Sequence, residues 1–151
     1  MALEIVNRQR LVVIDRGAIR QLVAMILEDH GQADADVSVV LARDGLLEEL
    51  NSAYRDLDRP TDVLSFGLNE SKGRSGSAGD SPEALLGDVI ISVDRAKANA
   101  ARYGKTPERE ILKLVAHGVL HLLGHEHGDP KKRRVMRDRE NRYLRKLGGQ
   151  G

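Results

Sequence analysis

The sequence predicts a single α+β domain built on one sheet of about four strands. Three observations carry that prediction. Short β-branched runs intermix with longer stretches whose apolar residues recur at helical spacing. Capping residues, Asp or Thr before and Gly after, punctuate several of the helical stretches. The chain has 151 residues, one domain's worth, and at that size it buries roughly 70% of its unfolded surface without staples.

In chain order, Arg10 to Ile14 is mostly apolar and β-branched and reads as the first strand. Asp15 caps a helix from about Arg16 to Asp29, along which Ile19, Leu22, Val23, Met25 and Ile26 form one face. His30-Gly31 ends it. Asp36 to Ala42 (DVSVVLA) is the second strand. Asp44 caps a helix through about Tyr54, with Leu46, Leu47, Leu50 and Tyr54 on one side. Beyond Pro60, Asp62 to Phe66 (DVLSF) reads as the third strand.

Residues 67–84 are rich in Gly, Ser and charge, which predicts one long mobile loop. Leu85 to Ser92 (LLGDVIIS) is the fourth strand, and a helix from about Val93 to Tyr103 stops at Gly104. Thr106 and Pro107 look like an N-cap and a first-turn proline. The helix they open runs to about Leu123 and stops at Gly124. Asp129-Pro130 opens the last helix, about 130–147. The sequence shows no repeats and no second domain.

Composition narrows the chemistry. There is no cysteine, which excludes disulfides, thiolate-bound zinc and iron–sulfur clusters. Any transition metal must rest on histidines and carboxylates. Net charge is +1, but from Pro130 onward nine basic residues face two acidic ones, so that segment carries +7 and the rest −6. A basic tail points to a polyanion; a solvated helix face is the plain alternative. The N-terminal stretch has no apolar run fit for a signal peptide, and nothing approaches the ~20 apolar residues of a membrane span. A soluble, cytoplasmic protein is expected.

The informative segment is Leu114 to Asp129, LVAHGVLHLLGHEHGD. On a helix, His117 and His121 share one face a turn apart. Gly124 ends the helix and lets the chain turn back, so His127 can return to the same ion. Three imidazoles with one open position describe a catalytic zinc site, since structural sites fill all four places. The alternative is that these are ordinary core and surface histidines. His125 is the spare ring, either second to the ligands or simply exposed.

The spacing H-x-x-x-H-x-x-G-x-x-H is similar to that of the metzincin zinc proteases, which carry a general-base Glu directly after the first His. Here that residue is Gly118. Glu126 lies near, but not on the metal-facing helix. The metal site is therefore expected without the usual machinery for peptide hydrolysis.

With HGVLHLLGHEH in view, the chain resembles the YbeY family of rRNA maturation factors. The likeness extends to LNSAYRDLDRPTDVLSF (Leu50 to Phe66) and LLGDVIIS. His125 and Glu126 depart from the family's usual Tyr and Asp, outside the three ligands. The resemblance implies a mixed sheet, one zinc ion on His117, His121 and His127, and single-strand-specific endoribonuclease activity. It further implies a cytoplasmic place on the small ribosomal subunit, with work in 16S rRNA 3′-end maturation and ribosome quality control.

The resemblance also maps the family's motif arginine onto Arg55, which on its own reads as a surface charge at a helix end. A planar guanidinium suits phosphate oxygens. Arg55 and the ligand His117 are the expected catalytic residues. Thr61 and Asp62 are expected to shape the turn after Pro60, and Asp88 to bond within the domain or face a partner. RNA carries its own nucleophile, the 2′-hydroxyl, so its cleavage tolerates a missing base. Water activated by the metal is the other route. Two further readings stand beside the nuclease: a metalloprotease-like hydrolase, and a zinc-bound assembly factor with no reaction of its own.

Overall fold

Local chemistry sets where the elements begin. The computed structural model describes residues 2–55, 63–67, 85–125 and 129–148, with residues 51–55, 66, 85 and 148 described by backbone alone. Along the chain run β1 (Ala2–Asn7), α1 (Arg16–Asp29), β2 (Asp36–Ala42), α2 (Asp44–Arg55), β3 (Val63–Gly67), β4 (Leu85–Ser92), α3 (Val93–Tyr103), α4 (Pro107–Leu122) and α5 (Pro130–Gly148). Asp15, Ser92 and Thr106 each accept a hydrogen bond from a first-turn N–H of the helix that follows, at 3.0, 3.1 and 3.2 Å. Asp129 does the same for α5 through the Lys132 N–H at 2.8 Å. Each cap satisfies a donor that has no partner within its helix. Gly104 closes α3 in the left-handed conformation, φ 68°.

The strands lie in the order β1-β2-β4-β3. β1 and β2 are parallel, β2 and β4 are parallel, and β3 runs antiparallel to β4. The fold is the expected α+β class with a mixed four-stranded sheet. Alternation along the strands gives the sheet two apolar faces. Val37, Val39, Leu41, Val89 and Ile91 face the main core, which α1, α3, α4 and α5 close. Val40, Ala42, Leu64 and Ile90 face the other way and meet Leu46, Leu47 and Leu50 of α2.

One strand is not where the sequence predicts it. Arg10 to Ile14 is outside the sheet, and the edge strand is β1, from Ala2 to Asn7. The reason is Gln9, a buried amide. Its Nε2 donates to the Val12 carbonyl at 2.9 Å, and the Val12 N–H donates to its Oε1 at 2.9 Å. A side chain supplies both bonds that a neighbouring strand would otherwise supply, so the apolar run folds as a loop. Val12 still reaches the core while Val13 is 82% exposed.

A smaller difference concerns Asp44. It begins α2 rather than preceding it, and its carboxylate accepts from the Ser92 hydroxyl at 2.8 Å. The expected loop at 67–84 lies outside the described residues except for Gly67, which ends β3.

Candidate metal centre

The centre is built on α4, the helix that crosses the main face of the sheet. Gly118 lets it come close. A Cβ at this position would lie 2.5 Å from Val89 Cγ1 and 3.2 Å from Ser65 Oγ. The Ser65 hydroxyl donates to the Gly118 carbonyl at 3.1 Å and ties helix to strand. The residue after the first histidine thus faces β3 and β4. Glycine supplies no side chain there to act as a base toward the neighbouring rings, and any larger residue would meet the sheet.

His117 and His121 stand one turn apart on a face of the helix adjacent to that contact. Their rings are nearly parallel, 8° between planes, with centroids 6.5 Å apart. His117 Nδ1 lies 2.6 Å from Glu140 Oε2 on α5, and His121 Nδ1 lies 3.1 Å from the His125 carbonyl oxygen. A carboxylate and a carbonyl only accept, so each neutral ring carries its proton on Nδ1. Nε2 then holds the lone pair in both rings. This is the tautomer by which a histidine ligates zinc through Nε2 while its other nitrogen is held by an acceptor. The donor set fits zinc in type, tautomer and helical spacing.

The turn after α4 is what brings that carbonyl back. Gly124 takes φ 101°. The Gly124 N–H donates to the His121 carbonyl at 3.0 Å, and the His125 N–H to the Leu120 carbonyl at 3.0 Å. This pair of bonds is a Schellman motif, which reverses the chain over the helix end.

The His125 ring then turns toward α1. Its Nε2 is 2.9 Å from His30 Nε2, and His30 Nδ1 is 2.8 Å from the Ile26 carbonyl. The carbonyl assigns the His30 proton to Nδ1, so His125 donates to His30. Burial, then the nearby Arg139 and His30 charges, push the His125 imidazole below its ordinary value. Of its two expected roles, His125 serves the site through its backbone, and its half-buried ring links the turn to α1.

Of the predicted ligands, His117 and His121 are brought together. His127, like Glu126, lies outside the described residues. Among the described residues no three His, Asp or Glu side chains converge on one point. Arg55 is the last residue of α2, which packs on the far face of the sheet; its side chain is not among those described. Thr61 and Asp62 lie outside the described residues. Asp88 is exposed on β4, on the side of the sheet that Ile90 shares.

Sequence reasoning missed Glu140. It is 4% exposed, between Met136 and Tyr143 on the buried stripe of α5. A lone carboxylate at a core position of a basic helix was the signal. Most cations of α5 turn to solvent, Arg133, Arg134 and Arg137 among them, while Arg139 is half-buried. A cleft of about 430 Å³ opens beside the turn, lined by Gly124, His125, Lys131, Lys132, Val135 and Met136. No helix among the described residues is long and apolar enough to cross a membrane.

Comparison with known proteins is consistent along nearly the whole chain. The family model described as Endoribonuclease YbeY matches residues 4–148. A protein of that name from Desulforamulus reducens is 39% identical, over 98% of this chain and 98% of its own. Another from Carboxydothermus hydrogenoformans is 40% identical, over 96% of each chain. A Thermotoga maritima protein solved in solution superposes with a TM-score of 0.63 at 26% identity, covering 98% of this chain and 90% of that one.

Proposed function

The chain belongs to the endoribonuclease YbeY family, and from that premise we propose that it is an RNA-cleaving hydrolase working with one zinc ion. The observation that most supports the metal is the pair of engaged Nδ1 atoms on His117 and His121, which makes Nε2 the ligating nitrogen in each ring. His127 is the proposed third ligand, placed by the spacing of the sequence. When bound, such an ion supplies Lewis-acid chemistry and lowers the pKa of a neighbouring water toward about 7.

The chain's own residues bind and orient the substrate. Arg55 is proposed to pair with the scissile phosphate and to stabilise the charge that builds there during cleavage. The exposed cations of α5, with Lys131 and Lys132 beside the turn, hold the phosphate backbone. The chain has one Phe, three Tyr and no Trp, too few aromatic rings for base-stacking platforms. Recognition therefore rests on backbone and shape. The proposed setting is the cytoplasm, on the small ribosomal subunit, with 16S rRNA 3′-end maturation and ribosome quality control as the task. With Gly118 packed against Val89, a protease-type base has no place in this reading.

The test is metal content and single-stranded RNA cleavage, measured on wild type, His121→Ala and Arg55→Glu purified in parallel. His121→Ala should lose both metal and cleavage. Arg55→Glu should keep its metal and lose cleavage by about 10²-fold, the cost of removing one transition-state donor. Equal cleavage in all three would assign the activity to a contaminating nuclease. Bound metal without cleavage in wild type would make the protein an assembly factor instead.

A further inference from the structure

We infer that Glu140 is a positioning residue: from α5 it holds the His117 imidazole, and so sets the affinity of the centre for zinc. The inference rests on the zinc reading above and extends it to a second helix.

The stripe of α5 that packs inward contains Met136 at 2% exposure, Glu140 at 4% and Tyr143 at 1%. A carboxylate among such residues is costly to bury unless it is paired and hydrogen-bonded. Glu140 meets that requirement through His117 Nδ1 at 2.6 Å, the short distance of a charge-assisted bond. The bond fixes the proton on Nδ1, holds the ring against rotation and leaves Nε2 as the nitrogen for the metal. His121 Nδ1 donates to a neutral carbonyl in the equivalent place. The two rings are therefore held differently, His117 by a carboxylate on α5 and His121 by the backbone of its own turn.

A simple clamp between α4 and α5 would use the same contact, and the two roles separate in measurement. A clamp sets stability. A positioning residue also sets the imidazole tautomer and the affinity for metal at unchanged fold. The test uses the full chain as wild type, Glu140→Gln, Glu140→Ala and Tyr143→Phe. Zinc affinity is read by competition with a chromophoric chelator, and the His117 tautomer by nitrogen–proton correlation NMR on the metal-free protein.

Glu140→Gln, nearly isosteric, should weaken zinc by about 10-fold and Glu140→Ala by about 100-fold, the range for an outer partner of a ligating histidine. Glu140→Ala should also lose the single Nδ1–H signature at His117 in the metal-free protein, whereas the Gln carbonyl of Glu140→Gln still accepts and should keep it. Tyr143→Phe alters the same helix interface without touching His117 and should keep zinc affinity and tautomer. Wild-type zinc affinity in Glu140→Gln overturns the inference. That variant also decides the matter should Glu140→Ala not fold. A wild type that takes up no zinc overturns the metal reading instead, while the tautomer measurement still tests Glu140.

Discussion

An alanine at position 118 would put a better helix former into a helix, and it should still destabilise the protein. On an exposed helix the exchange of Gly for Ala gains about 0.5–1 kcal/mol. Here the added carbon would fall 2.5 Å from a methyl of Val89, which is fully buried. A β-branched side chain in a packed core cannot turn aside cheaply. Overpacking of this kind costs about 1–3 kcal/mol and outweighs the gain. The denaturant midpoint of Gly118→Ala should drop accordingly, and adding Val89→Ala should recover part of the loss through coupling between the pair. An unchanged midpoint in Gly118→Ala would mean that the helix stands further from the sheet in solution. The same position marks a boundary of what a sequence conveys. Its spacing relative to His117 identifies a missing base, but spacing cannot say what fills the space opposite a glycine. Val89 and Ser65 are 29 and 53 residues away in the chain.

At the scale of elements, the loop after β1 and the helix α5 each bury one polar residue, Gln9 and Glu140. The run from Arg10 to Ile14 has the composition of a strand, and Gln9 makes it a loop by bonding both backbone groups of Val12. Replacing Gln9 by Leu keeps the bulk and leaves that N–H and carbonyl without their partner. The expected cost is about 1–3 kcal/mol, read by chemical unfolding. A neutral result would show that water or a backbone shift supplies the bonds. On α5 the charge pattern is plain in the sequence, while Glu140 becomes visible only when the helix is laid against α4. The exposed cations lead to a separate expectation. Reversing Arg133, Arg134 and Arg137 should weaken single-stranded RNA binding. It should also flatten the logarithmic salt dependence by about 0.7 for each phosphate that is no longer neutralised. Binding that keeps both affinity and slope would reduce α5 to a solvated face.

At the scale of the whole molecule, three side-chain links among the described residues join α1, α4 and α5, or the turns that end them, around the candidate centre. His117 bonds Glu140, His125 bonds His30, and the Tyr143 hydroxyl donates to Asp29. Helix ends were legible in the sequence because caps are local: Asp15, Thr106, Gly104 and Gly124 act within a few residues of themselves. Strand order and these links were not, because they join residues as distant as Asp29 and Tyr143. That last link makes the assembly sensitive to pH. Burial, then the bond to Asp29, pushes the Tyr143 phenol up to about 12. The same bond, as the largest influence, holds the Asp29 carboxyl below its ordinary 3.8.

The signs follow from linkage. A phenol raised in the folded state contributes stability that is whole below about pH 10 and is lost as pH climbs toward about 12. A carboxyl lowered in the folded state contributes stability present above its ordinary value and lost as pH falls through the folded one. Tyr143→Phe removes the phenol and the bond together. Its stability should therefore fall less steeply than wild type between pH 10 and 12, and the acid limb should flatten as well. Urea midpoints taken across the pH range for both proteins measure this directly. Parallel curves would show that the Tyr143–Asp29 bond is not populated in solution, and with it would go one of the two links named above that tie α5 to its neighbouring helices.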